Sequence, residues 1–244
     1  MHHDRRRRRD VRHHSVAVEI SRPLSPLRND FRRAYTRHMP RSRPNESRVT
    51  IADYLSAEER RAFRHEYIRG EVYAMSGGTM RHSQIAANII RYLGTAARGT
   101  RCRVFTSDFK VQPSDEAVYY PDASVVCGPL DGSAVVTEGP CLVVEVTSRG
   151  TARVDRGEKL EQYLKCATLE TYLIVDQSRK RVTRHWREGA GEWRSEDIVG
   201  EGSIPLPCPR FDLTLDQIYE DVELPLQVGE PKFAQEEDEY PVEV

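Results

Sequence analysis

The 244-residue sequence contains no apolar run near the roughly 18 residues needed to cross a bilayer as a helix, which excludes a helical membrane span. The Arg-rich beginning, MHHDRRRRRDVRHH, is not followed by the apolar stretch of a secretory signal. Together these absences lead to the expectation of a soluble, cytoplasmic protein. Cysteine is scarce and unpatterned: Cys102, Cys127, Cys141, Cys166 and Cys208 are odd in number, widely spaced and form no Cys-x-x-Cys. That argues against both a disulfide framework and a thiolate zinc site, and for free thiols in a reducing compartment. Aromatic residues make up 8% and hydrophobic residues 38%, against 31% charged, so the polar excess must lie in tails or coat a wide surface. No internal repeat is visible.

Charge of one sign is also lacking overall, since the net charge is −1, yet the ends are strongly biased. Residues 1–48 carry 14 Arg against 5 acids, a balance of +9, and residues 220–244 carry 9 acids against Lys232, a balance of −8. The middle is left with −2, so any positive surface for a nucleic acid must be local. The first segment has too few apolar residues to offset the entropy of folding, and is expected to be a basic disordered tail able to meet an anionic surface. Met39, opening MPRSRP, is a plausible alternative start. Residues 226–244, ending QEEDEYPVEV, read as an acidic tail.

Between the tails, at 49–225, periodicity predicts one α/β (α+β) domain. A helix is expected over 50–65, with Ser56 and Glu59 at capping-box spacing, then a strand pair around Arg69-Gly70. A second helix is expected over 82–98, with Ile85, Ile89 and Leu93 on one face. Strands are expected at 102–111, 118–126 and 141–146, a third helix at 151–166, and strands at 171–175 and 182–186. The run Cys141-Leu-Val-Val-Glu-Val146 is apolar enough for a central strand buried on both faces.

Glu145 interrupts that run, and a buried carboxylate needs a cation, a metal or a donor network. Asp122 poses the same problem inside YYPDASVV, where Pro121 removes a ladder hydrogen bond and marks a bulge or edge that re-aims the next side chain. The two acids lie 23 residues apart, a spacing that adjacent strands can close. Two carboxylates brought together there make a hard-cation site.

The segments YYPDASVVC, PCLVVEVTS, TARVDRGEKLEQY and ETYLIVDQSRKRV, with GEVYAMSGGTMRHSQIAANI and RVFTSDFKV before them, resemble in this order the Uma-two family of restriction endonuclease-like proteins, a branch of the PD-(D/E)XK nuclease superfamily. The resemblance runs from about residue 50 to 219. It implies a restriction-endonuclease-like mixed central sheet flanked by helices, with motif acids Asp122 and Glu145. The motif Lys is replaced by Thr147, and the resemblance moves its role to Lys159 on the next helix. Lys110, two residues from Asp108 and so on the same strand face, competes for it.

The implied activity is Mg2+-dependent hydrolysis of DNA phosphodiester bonds, with Mn2+ as a substitute. Such chemistry needs a water made nucleophilic near neutral pH and a cation for charge developing on the phosphate, which a divalent ion on two carboxylates supplies. A Lys beside that water can orient it or stabilise the phosphate. Accessory candidates are Glu71, an extra acid of the first strand pair; Asp108, a third ligand or the partner of Lys110; His82, matching a family His at a helix start; and Gln162, able to touch substrate. The basic turn at 176–181 can meet phosphates or serve only as a charged hairpin tip. Enzymes that cut both strands commonly pair two sites by two-fold symmetry, so a homodimer is compatible. A non-catalytic nucleic-acid-binding or regulatory module keeping the fold is the second reading, permitted by Thr147.

Overall fold

The computed structural model describes residues 48–147 and 151–225. The two expected tails, with Met39, therefore lie outside the described residues, apart from Arg48 at the edge of the first. In chain order the elements are helix α1 (Ile51–Glu58), strands β1 (His65–Ile68) and β2 (Glu71–Ala74), helix α2 (Met80–Ala96), and strands β3 (Cys102–Thr106), β4 (Lys110–Ser114), β5 (Ala117–Tyr119), β6 (Ala123–Cys127), β7 (Val136–Thr137) and β8 (Pro140–Thr147). A helical stretch follows, made of α3 (Ala152–Val154), a π turn (Asp155–Lys159) and α4 (Leu160–Lys165). Strands β9 (Thr171–Asp176), β10 (Arg181–Trp186), β11 (Arg194–Val199), β12 (Ser203–Pro207) and β13 (Arg210–Thr214) and helix α5 (Leu215–Ile218) complete it.

The strands form the expected mixed sheet and two smaller ones. A six-stranded mixed sheet has the order β11-β10-β9-β8-β6-β3, a five-stranded sheet the order β2-β1-β5-β4-β7, and β12-β13 stand as a pair. In the large sheet β8 runs parallel to β9 and antiparallel to β6, and as expected is buried along nearly its whole length. Its alternating side chains divide the core. Leu142, Val144 and Val146 pack with Ile85, Ile89 and Leu93 of α2, while Val143 faces the opposite way, into a cluster with Tyr163, Tyr172, Ile174 and Tyr119. Each fully buried aliphatic of α2 contributes roughly 1.5–3 kcal/mol. Glu145 shares the side of Val143, by the two-residue period of a strand.

Several expected elements are shorter or divided. The first helix is capped by Thr50, whose hydroxyl accepts from the Asp53 N–H, rather than at Ser56, and it ends at Glu58. The expected strand at 102–111 is cut by a turn at 107–109, so that β3 joins the large sheet and β4 the smaller one. Likewise the strand expected at 118–126 breaks at Tyr120-Pro121-Asp122, with β5 in one sheet and β6 in the other. Pro121 has no N–H to give a ladder, so the crossing falls where pairing is already lost.

The cysteines also depart from expectation. The structure sets Cys102 against Cys127 and Cys141 against Cys208, and leaves Cys166 as the free, buried thiol among the described residues. The reason is register: β3 and β6 pair with Cys102 directly opposite Cys127, a juxtaposition that linear spacing does not reveal.

Candidate active site

Register brings the two acids together. In the β6–β8 ladder Ala123 lies opposite Val144, so one step further along places Asp122, at the entry to β6, opposite Glu145. The break at Pro121 frees Asp122 from the ladder, and its Oδ2 accepts the Val146 N–H at 2.7 Å. Asp122 Oδ2 also lies 3.2 Å from His82 Nε2 at the start of α2. His82 is positioned by the Thr79 cap, whose hydroxyl accepts the His82 N–H at 3.2 Å. Gly78 lets the ring lie close, since a Cβ there would be 2.7 Å from His82 Nδ1.

Glu145, 5% exposed, faces the π turn. Its Oε1 accepts from Lys159 Nζ at 3.0 Å and from the Tyr163 hydroxyl at 3.1 Å. Lys159, itself 7% exposed, donates to Glu66 Oε1 of β1 at 2.9 Å and lies 3.8 Å from Asp155 Oδ1, with its ammonium 5.2 Å from the centre of the Tyr119 ring. One buried ammonium thus ties an acid of the large sheet to an acid of the small one. The i→i+5 bonding of the π turn widens the helix there, a distortion often found at functional sites. Lys159 and Tyr163 share one face over Glu145. Arg156 does not join them and lies within electrostatic reach of His185 and Asp197.

Charge explains the titration. Burial, then the neighbouring Asp155, Asp122 and Glu66, raise Glu145 well above the usual carboxylate range against the pull of Lys159. Burial likewise pushes Asp155 up to about 6, with Glu66 and Asp122 adding repulsion and Lys159 opposing it. Burial works against charge on Lys159, yet Glu145, Glu66 and Asp155 hold it well above its ordinary value. The ammonium therefore stays charged, and the carboxyls crowded around it are pushed toward their protonated forms. His82 is raised chiefly by its hydrogen bond to Asp122, with burial opposing. Its imidazole should accordingly titrate above the ordinary value of about 6.5, and Asp122→Asn should bring it back down. An NMR titration of the ring would show this, and an unshifted midpoint in the wild type would contradict the contact.

The other candidates are placed elsewhere. Lys110 is buried with its ammonium 5.5 Å from the centre of the Tyr120 ring, and among the described residues no carboxylate lies within ion-pair distance of it. Asp108 sits in the turn after β3, 71% exposed at its side chain, and pairs with Arg64. The turn abolishes the common strand face assumed for Asp108 and Lys110. Glu71 is exposed and accepts from the Tyr73 hydroxyl. The acid of the first strand pair that reaches the cluster is instead Glu66. Gln162 is fully buried and held by Ser114 at 2.7 Å and Glu116 at 3.3 Å, which leaves it inside the packing. At the 176–181 turn, Arg179 pairs with Asp176, Lys180 with Asp216 and Arg181 with Asp197, so the cations already have partners. Sequence reasoning missed the role of Glu66. Its only signal was the Tyr67-Ile68 pair that follows it in a strand of four residues.

The family described as "Uma2: Putative restriction endonuclease" matches residues 51–217, well over half of the chain. The chain belongs to the Uma2 family. It is 33% identical over 174 residues to uncharacterized protein slr1290 of Synechocystis sp. (strain ATCC 27184 / PCC 6803 / Kazusa), covering 70% of this chain and 92% of that one. It is 28% identical over 159 residues to uncharacterized protein sll1609 of the same organism, covering 64% and 90%. A crystal structure of a putative nuclease belonging to DUF820 from Anabaena variabilis ATCC 29413 superimposes with a TM-score of 0.59 at 17% identity, over 70% of this chain and 97% of that chain. That likeness establishes a nuclease-like fold for this Uma2 protein. Among the described residues, no helix is long and apolar enough to cross a membrane.

Proposed function

We propose that this Uma2 protein is a divalent-metal-dependent endonuclease that hydrolyses DNA phosphodiester bonds in the cytoplasm, with Asp122 and Glu145 as metal ligands and Lys159 as the group acting on the water or phosphate. The observation that carries the reading is Lys159, a buried ammonium 3.0 Å from Glu145 in a pocket of excess carboxylate. The donor set is all oxygen, which suits Mg2+ or Mn2+. The burial cost and mutual repulsion that oppose ionisation of these carboxyls are what a cation would relieve. Lys159 and Tyr163 both donate to Glu145 Oε1, and Val146 N–H and His82 both converge on Asp122 Oδ2. Glu145 and Asp122 would each keep an oxygen available to a cation, with His82 and Tyr163 as positioning residues. A bound Mg2+ would supply a water of lowered pKa and neutralise charge on the phosphate. Lys159 would exchange part of its contact with Glu66 for the phosphate oxygen, and Asp155 and Glu66 would keep it charged.

The experiment is incubation of supercoiled, linear and single-stranded DNA, and of RNA, with the full chain and Mg2+ or Mn2+. Cleavage of DNA that requires metal and is lost in Glu145→Gln is expected, and no cleavage of any DNA with either metal would overturn the reading. The competing reading is a nucleic-acid-binding module, in which Lys159 serves only as the counter-ion of Glu145 and Glu66. Metal-independent binding without cleavage would identify it. Two copies acting by two-fold symmetry would give double-strand breaks, and sedimentation would report the dimer.

A further inference from the structure

At the end of the large sheet away from Asp122 and Glu145, four sulfurs from four separate segments meet. Cys102 opens β3, Cys127 closes β6, Cys141 lies near the start of β8, and Cys208 stands in the turn between β12 and β13. Besides the pairs Cys102 with Cys127 and Cys141 with Cys208, Cys127 Sγ is 3.4 Å from Cys208 Sγ and 3.5 Å from Cys141 Sγ. The sulfurs of Cys102, Cys127 and Cys208 all lie within 4.8 Å of one another, which among the described residues is the convergence of three or more His, Cys, Asp or Glu side chains tight enough to hold an ion.

We propose that Cys102, Cys127, Cys141 and Cys208 form a structural four-thiolate metal site, taking zinc. Two features favour a metal over two disulfides. Zinc binds thiolate at about 2.3 Å with tetrahedral geometry, so the sulfurs of such a site stand about 3.8 Å apart. The contacts of 3.4 and 3.5 Å between the two pairs are close to that edge. Second, the Cα atoms of Cys102 and Cys127 are 3.9 Å apart, below the range of about 4.4–6.8 Å that disulfides span. Soft thiolates in a closed set of four select zinc over hard cations. On binding, the four thiols would release their protons, leaving a centre of net charge −2 with Arg101 and Arg103 flanking Cys102 in the sequence. The site would tie β3, β6 and β8 to the β12-β13 pair, an outer hairpin otherwise held by apolar contacts such as Ile204, Leu206 and Leu213 with the core and by the Arg184 guanidinium donating to the Pro205 carbonyl. Cys166, whose Sγ lies 3.5 Å from the Glu138 carbonyl, is not part of it.

The test is the metal content of the full chain, purified anaerobically, together with thiol counting by alkylation before and after a chelator and before and after a reductant. The expected result is stoichiometric zinc. Cys102, Cys127, Cys141 and Cys208 should become alkylatable once zinc is chelated, without reductant, and Co2+ substitution should give the absorption of a tetrahedral sulfur site. Cys166→Ser should keep the zinc and Cys127→Ser should lose it. Sulfurs that alkylate only after reduction, or free thiols that take up neither Zn2+ nor Co2+, would overturn the proposal. Should Cys127→Ser fail to fold, the zinc and thiol counts of the wild type still decide. Cleavage of DNA plays no part in this readout, so the outcome is separate from that of the nuclease.

Discussion

Replacing Lys159 by Ala should abolish metal-dependent cleavage, by at least about a hundredfold, which is the usual effect of removing one electrostatic donor from a reacting centre. Metal binding and DNA affinity should survive, because Asp122 and Glu145 are untouched, so the loss should fall on kcat rather than on binding. The same substitution leaves Glu145, Glu66 and Asp155 facing one another in a buried site without their ammonium. Removing one partner of a buried ion pair typically costs about 3–5 kcal/mol. That cost should be largest at pH 8 and shrink towards pH 5, where the carboxyls can take up protons instead. Lys110→Ala is the control: it removes a cation that has no carboxylate partner among the described residues, and should leave the rate within a few fold. Kinetics of both variants with denaturant melts at two pH values decide the matter. Retained cleavage in Lys159→Ala would leave the residue as a counter-ion only.

Melting of the metal-free chain should show stability falling as pH rises from about 4 to 7. Asp155 goes from an ordinary 3.8 to about 6 and Glu158 from 4.5 to about 7, each pushed chiefly by burial. Asp155 faces Lys159 and Thr151 as stabilising neighbours and Glu66 and Asp122 as repelling ones. Glu158 faces Arg69 and Lys159 against Glu66 and Glu161. A carboxyl raised on folding binds more protons in the native state than in the unfolded one, so its stabilisation is present at low pH and is lost as pH climbs through the folded value. For Asp155 this amounts to the order of 2–3 kcal/mol. Lys159, raised on folding, is fully protonated in both states below about pH 9 and adds no slope in this window. A divalent cation favours the ionised carboxylates, so the Tm gain from Mg2+ or Mn2+ should grow from pH 5 to pH 8 and vanish in Glu145→Ala. A gain independent of pH, or one that persists in Glu145→Ala, would remove the carboxylates as the metal site.

Glu145 was legible because a charged residue in a run of valines contradicts the burial that the run demands. Asp122 was legible for the same reason, with Pro121 announcing the break that frees it. What the alternation of residues 102–111 and 118–126 hid was the change of sheet: a turn of three residues or one proline interrupts the pairing without disturbing the two-residue period on either side. Asp108 and Lys110 were misjudged on that account. Lys159 could not be found from periodicity, since a Lys in a polar helix looks solvated, and only the resemblance singled it out. Glu66 lay in a four-residue strand, too short for a single acid to stand out. The sulfur cluster was invisible for a topological reason. Its members come from four segments, and only the register of β3 on β6 and the return of the β12-β13 pair bring them together.

The π turn at Asp155–Lys159 carries a consequence for how this helix can vary. A regular α-helix rotates about 100° per residue, so one residue more or less swings everything beyond it by over a quarter of a circle. The wide turn absorbs one residue and so sets the phase between its two ends: at its start, Asp155, whose carbonyl accepts from the Tyr172 hydroxyl, and beyond it, Tyr163 on Glu145. Deleting one residue to restore an ideal helix could keep either stretch aimed at the large sheet, but not both. Relatives that lack the wide turn would therefore have to supply the ammonium from a different helical position, whereas insertions before residue 151 would leave the aim of Lys159 unchanged.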